Sequence, residues 1–249
     1  MTHTLSSLQH PLVKHLVKLR LDSGYREEHQ ALILEGAKPI QEMKGDVQKL
    51  LYTPSYAPFA SSFLGEKWEI TDAILNKISG VISPEGVIAE VRMPPFVSIA
   101  QARRVLALDG INDPGNMGTL LRTALALGWD TVYFLPDSCD PFNEKAIRAA
   151  RGAHFKLSLA KGTGDQLREW AQHHHVQSVV ADIKGEGPGK LPIAERRLLV
   201  LGNEAHGASP AIRQFCQPIT ISMSGEMESL NVAVAGGILL YLLSNKGSL

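Results

Sequence analysis

The sequence of 249 residues predicts an α/β protein in two parts, with a mostly parallel sheet in the larger C-terminal part. Three observations carry this. From residue 104 onward, nearly all-apolar runs such as "RVLALDG", "TVYFLP" and "RRLLVLGNE" alternate with helical stretches, the pattern of strands covered on both faces. The segment before them alternates as well, and the double proline of "MPPFVSIAQARR" separates the two parts. At 44% hydrophobic residues, the chain has enough apolar material for a large core.

Taken in order, "SLQHPLVKHLVKLR" reads as an amphipathic helix. Leu12, Val13, Leu16, Val17 and Leu19 form its apolar face, and Lys14, Lys18 and Arg20 its basic one. "ALILEG", "KLLYT" and "KWEIT" read as short strands, "AKPIQEM" and "TDAILNKI" as helices, and "GVIAEVRM" as the strand that closes a small α/β domain. A linker over residues 94 to 102 divides the chain into domains 1–97 and 98–249. Beyond it, "RVLALDG", "TVYFLP" and "FKLSLA" read as strands. Gly118 to Leu127, "FNEKAIRAARGA" and "DQLREWAQHH" read as helices, and "VQSVVADI", "RRLLVLGNE", "SPAIRQF" and "QPITISM" continue the alternation. The run Leu230 to Leu243 falls short of the roughly 18 residues that span a bilayer and is broken by Asn231 and two glycines, so it reads as a buried helix.

Lys and Arg balance Asp and Glu at 25 each, which argues against a generic polyanion binder and directs attention to local patches. Two such patches stand out: Lys14, Lys18, Arg20 and Arg26, and Lys145, Arg148, Arg151, Lys156 and Lys161. Aromatic residues make up 6% of the chain, so shape and backbone contacts, more than base stacking, are the expected mode of any nucleic-acid recognition. Cys139 and Cys216 match neither a disulfide framework nor a zinc site, and the N-terminus has no secretory pattern, so a cytoplasmic setting is expected. No metal is expected either. Glu204 and His206 lack a third ligand at suitable spacing, and the histidines at 173 to 175 read as a solvated helix end.

Ligands of open parallel α/β sheets bind at the carboxyl ends of the strands, so the loops that follow them are the places to look. Three are unusual: "INDPGNMG", "AHGASP" and "SGEMESLN", rich in glycine and small polar residues that let backbone approach a ligand. The first is neither a dinucleotide fingerprint nor a Walker loop; alone, its "GNMG" reads as a helix start capped by Asn116.

In order, "NDPGNMGTLLRTALALG", "LVLGNEAHG" and "ITISMSGEMESLNVAVAGGILLY" resemble the three motifs of the SpoU (TrmH-like) RNA ribose 2'-O-methyltransferases of the SPOUT superfamily. "HPLVKHLVKLR" with "LILEG" is similar to that family's N-terminal RNA substrate-binding domain. The resemblance implies a SPOUT fold with a C-terminal trefoil knot that holds S-adenosylmethionine, and a homodimer whose active sites lie near the subunit interface. It implies Asn116, Arg122, Glu204, Ser229 and Asn231 as catalytic residues and backbone contacts to the cofactor from Gly202, Ile221 and Leu230. Lys14, Lys18, Arg20, Lys145, Arg148 and Arg151 are then the RNA-binding candidates. The appended N-terminal domain leans the substrate to rRNA over tRNA. One departure is Ser222, where many relatives have proline before the methionine.

Arg122 has three readings. In the family the matching arginine activates the 2'-hydroxyl, which asks a guanidinium to give up a proton it holds to above pH 12. Alternatively it stays charged and clamps a phosphate and the developing alkoxide. A plainer role is neutralising a buried carboxylate such as Glu204. A non-catalytic RNA-binding protein that keeps the fold remains the competing function.

Overall fold

The computed structural model describes residues 2–43, 46–192, 194–225 and 229–244. The chain divides into two compact units, Met1–Pro94 with Phe142–Ile147, and Pro95–Pro141 with Arg148–Leu249.

The first unit holds β1 (Thr2–Leu5), α1 (Pro11–Leu21), α2 (Ser23–His29), β2 (Ala31–Glu35), α3 (Ala37–Glu42), β3 (Val47–Tyr52), α4 (Ala57–Ser61), β4 (Glu66–Ile70), α5 (Asp72–Ile78) and β5 (Val87–Arg92). The strands order as β1-β4-β3-β5-β2, with β5 antiparallel to both neighbours and the other pairs parallel. Proline starts α1, and the apolar positions expected from its periodicity, Val13, Leu16 and Leu19, pack with Leu5, Ile70, Ile74 and Ile78. Two elements escape the sequence pattern. β1 is an edge strand with only Leu5 buried, and α2, "SGYREEH", has no apolar stripe and is started by the Asp22 side chain accepting from the Tyr25 N–H at 3.0 Å.

Arg26 sits in α2 but does not belong to a basic surface. It is buried, and its Nη1 donates to the carbonyls of Leu19 at 2.8 Å and Arg20 at 3.0 Å. It satisfies the carbonyls that the end of α1 leaves open, a structural task that removes it from the first basic patch.

In the second unit lie β6 (Arg104–Asp109), α6 (Pro114–Ala126), β7 (Thr131–Phe134), β8 (Ser158–Lys161), α8 (Gly164–His173), β9 (Gln177–Glu186), β10 (Arg197–Gly202), α9 (Pro210–Arg213), β11 (Gln217–Ile219) and α10 (Val232–Ser244), while α7 (Glu144–Ala150) straddles the division. The strands order as β11-β9-β10-β6-β7-β8 and every neighbouring pair is parallel. From β6 the chain proceeds toward β7; from β10 it proceeds to the opposite edge. Between them lies the point where the winding reverses, and the last residues of the two strands, Asp109 and Gly202, are register partners there.

Element ends differ from the sequence reading where local capping decides. α6 starts at Pro114, four residues earlier than expected, because Asp113 accepts from the Asn116 N–H at 2.7 Å and proline occupies the first turn. Asp113, not Asn116, is the cap. β8 begins only at Ser158 because Ala153–Phe155 form a 3-10 turn, and β11 ends at Ile219.

That 3-10 turn buries His154 completely, with Nε2 2.7 Å from the Pro141 carbonyl. Burial pushes its imidazole from 6.5 down to about 4. The unfolded chain therefore takes up a proton between these values that the folded chain refuses, and stability falls as pH drops through that window. Between pH 7 and pH 5, where carboxylates contribute little, about 2 kcal/mol of stability should be lost. Urea midpoints at the two pH values measure this; His154→Gln, which keeps a donor for Pro141 without a titrating ring, should remove most of the difference.

α10 is not buried on all sides as the sequence suggests. Val232, Gly236, Leu239, Leu240 and Leu243 face inward, while Val234, Ile238, Tyr241 and Leu242 are exposed at 51%, 37%, 56% and 39%. The inner face packs against α6 across Gly236, where a Cβ would lie 2.4 Å from the Leu120 side chain. The far end of α10 is held by buried Arg197, which donates to the Leu243 carbonyl and, at 2.8 Å, to Gln177 Oε1. A cation at a helix C-terminus also suits the helix dipole.

Candidate active site

Three loops meet above the crevice between β6 and β10: residues 110–113, residues 203–209, and the segment leading into α10. Asn203 joins the first two. Its Nδ2 donates to the Gly110 carbonyl at 2.9 Å, while its Oδ1 accepts from the N–H groups of Ala205 at 2.9 Å and His206 at 3.1 Å. Buried Asp109 adds a second tie by accepting from the Ser209 N–H at 2.6 Å. The loop doubles back so tightly that a Cβ on Gly202 would lie 2.2 Å from the Ala208 nitrogen, so only glycine fits there.

A hydrogen-bonded chain then links all three loops. Asn231 Oδ1 accepts from the N–H groups of Ala233 at 2.9 Å and Val234 at 3.3 Å, capping α10. That leaves its amide to donate to Asn116 Oδ1 at 3.1 Å, and the Asn116 amide to donate to Glu204 Oε1 at 2.9 Å. The order of donors and acceptors admits one direction, since backbone N–H groups stand at one end and a carboxylate at the other. Residues 88 and 115 positions apart in sequence are thus brought to hydrogen-bond distance.

Beside this chain opens a cleft of about 650 Å³, within the range of small-molecule sites. Gly202, Glu204, Ile221, Ser229, Leu230 and Asn231 all line it, so six of the eight residues named for catalysis or cofactor contact share one cavity wall. Ile221 lies two residues past the end of β11 and Leu230 two before α10, in loop rather than in regular structure. Asn116 joins through its hydrogen bonds. Arg122 does not: it lies on the exposed face of α6, about 9 Å along the axis from Asn116. Glu204 is itself exposed and accepts from Asn116, so it is not the buried carboxylate that the plainer role of Arg122 called for.

Sequence reading missed Asp109, Asn203, Asp182 and Arg213. Asp182 lines the cleft, and Arg213 lines it while donating to the His206 carbonyl at 3.0 Å. Position at the carboxyl ends of β6 and β10 was the available signal for the first two. Arg213 had none, because α9 is too short to show a pattern.

Among the RNA-binding candidates, Lys14, Lys18, Lys145 and Arg151 are exposed and Arg148 is half-buried. Arg20 is engaged already: its Nη1 lies 3.2 Å from Glu144 Oε2, within the first unit. Burial pushes the thiols of Cys139 and Cys216 up to about 11 and about 12, which keeps both protonated and poorly reactive. Among the described residues, no helix is long and apolar enough to cross a membrane.

Comparison with known proteins completes the picture. The model of the SpoU rRNA Methylase family matches residues 103–241. The chain is 31% identical over 176 residues to the 23S rRNA (guanosine(2553)-2'-O)-methyltransferase RlmP of Bacillus subtilis, covering 70% of this chain and 71% of the relative. It is also 31% identical over 181 residues to the 23S rRNA (guanosine-2'-O-)-methyltransferase RlmB of Acinetobacter baylyi, covering 67% and 73%. The structure superposes on an AdoMet-bound rRNA methyltransferase from Sinorhizobium meliloti with a TM-score of 0.87 at 25% identity, over 97% of both chains.

Proposed function

The chain belongs to the SpoU rRNA Methylase family, and from that premise we propose that it methylates a ribose 2'-hydroxyl of ribosomal RNA with S-adenosylmethionine. The observation that carries this is the chain Glu204–Asn116–Asn231, which joins the three motif loops around the cleft. The cleft suits the cofactor chemically. Its glycine-rich loop presents backbone groups, Leu201, Val232 and Leu239 supply apolar wall, and the Glu204 carboxylate matches a cationic ligand. When bound, S-adenosylmethionine supplies a sulfonium methyl open to in-line attack by the 2'-oxygen.

This chain's residues then have separable tasks. Backbone at Gly202, Ile221 and Leu230 holds the cofactor, and the Asn116 and Asn231 amides fix Glu204 and the α10 start relative to it. Ser229, on the same wall, contacts the incoming ribose in this reading. Charged Arg122 grips the phosphate beside the target ribose and stabilises negative charge on the 2'-oxygen as its proton passes to solvent water and the methyl group moves to the oxygen, leaving a neutral thioether. Homologues named for 23S rRNA favour rRNA over tRNA, and a cytoplasmic setting follows from that substrate. The family's trefoil knot is part of this reading.

Because Arg122 lies outside its own protomer's cleft, we place it in the active site of a homodimer, with the exposed stripe Val234, Ile238 and Tyr241 of α10 as the contact. Ile238→Asp should yield monomers by light scattering and lose methyl transfer; a monomeric variant of full activity would reject the shared site.

The deciding experiment incubates the purified protein with methyl-labelled S-adenosylmethionine and separate pools of unmodified rRNA and tRNA, followed by nucleoside analysis. Label in a 2'-O-methylnucleoside of rRNA is the expected result. Label in tRNA would change the substrate and keep the chemistry; RNA binding with no cofactor affinity by calorimetry would identify a non-catalytic protein.

A further inference from the structure

A second group of polar side chains is built into the first unit. Glu90 of β5 is buried, and Lys49 of β3 reaches both its carboxylate oxygens at 2.9 and 2.8 Å. His15 of α1 approaches the same carboxylate with Nε2 at 3.4 Å and turns Nδ1 to the Tyr25 hydroxyl at 2.9 Å. Tyr25 in turn stacks on His29, ring centroids 3.9 Å apart and planes 29° from parallel, and the Lys18 ammonium stands 4.8 Å from the Tyr25 centroid. His29 is exposed, as are Lys18 and, one helical turn before it, Lys14.

A buried carboxylate is costly unless paired, and neither the cleft nor the loops around it use this one. What it does is immobilise a surface aromatic pair. Both nitrogens of His15 are directed, one to Glu90 and one to the Tyr25 hydroxyl, so the phenol is held from beneath, while the His29 ring forms the open end of the column. Aromatic rings held rigid in the free protein lose little freedom on binding a flat ligand, which favours stacking. The Lys18 ammonium over the Tyr25 ring, with Lys14 one helical turn before it, adds positive charge beside the stack. A nucleotide is a flat π-system with negative charge at its margin, and its base is exposed for stacking in single-stranded RNA.

We propose that the Tyr25–His29 stack, braced through His15 by buried Glu90, is a platform for one unpaired base of the RNA substrate, with Lys14 and Lys18 taking the flanking phosphates. This rests on the reading of the protein as acting on RNA. It also modifies the expectation drawn from aromatic content: few aromatic residues suffice when two are assembled at one place.

The test uses the full chain and a 12-nucleotide single-stranded RNA carrying 2-aminopurine, whose fluorescence falls when the base stacks. The wild-type protein should quench it. His29→Ala and Tyr25→Ala should each weaken binding about fivefold or more and abolish the quenching. Lys14→Gln with Lys18→Gln should leave quenching at saturation intact and lower the slope of log affinity against log salt by about 1.4. Circular dichroism with a wild-type melting profile confirms that each variant is folded. Wild-type protein that fails to quench, or a His29→Ala protein that binds and quenches like wild type, overturns the platform. Quenching by a wild-type protein that transfers no methyl group would sink the proposed enzyme activity and leave the platform standing.

Discussion

Arg122→Ala is expected to lower kcat for methyl transfer by roughly 10²- to 10³-fold, the usual effect of removing a charge-stabilising donor, while leaving the S-adenosylmethionine affinity within about twofold. The second half follows from geometry, because Arg122 is exposed on α6 and does not line the cleft. The first half follows from its charge. A guanidinium that acts as a base must first be neutral, which costs about 7 kcal/mol at neutral pH, whereas a charged clamp needs no such step. Arg122→Lys separates the roles: a clamp keeps part of its activity with an ammonium in place, although the bidentate fork is lost. Rapid-quench kinetics under single-turnover conditions measure the step directly. Unchanged rates in Arg122→Ala would remove the residue from the reaction.

Gly202→Ala should weaken cofactor binding at least tenfold. A methyl group there would meet the Ala208 nitrogen at 2.2 Å and the Gly207 carbon at 2.3 Å, and both neighbours are backbone, which cannot rotate away. The loop must move, and overpacking of this kind costs about 1–3 kcal/mol. Movement there carries Glu204 away from Asn116 and opens the wall of the cleft. The loss should therefore exceed what the stability change alone explains: calorimetry should show at least tenfold weaker binding at a temperature where circular dichroism still reports a folded protein. A variant with wild-type affinity would mean that the loop is free to relax, contrary to its ties through Asn203 and Asp109.

Sequence by itself determined most of the element order and the parallel sheet of the second unit, while the family resemblance pointed to the second and third motifs, whose residues line the cleft. The element order and the sheet are written locally, in hydrophobic period and in turn residues, so they survive without knowledge of what packs on what. It did not decide which of two capping side chains starts α6, because Asp113 and Asn116 both qualify by type. Only when Asn116 is drawn to Glu204, 88 positions away, does the choice become clear. Nor did it distinguish an arginine on a basic face from one closing a helix end, as Arg26 does, or a buried apolar helix from one with a second apolar face, as in α10. The Tyr25–His29 stack was equally hidden, since its support comes from Glu90 on a distant strand. A side chain's type limits the bonds it can make, but which bond forms depends on the partner that the folded chain brings within reach, and that is a property of tertiary structure alone.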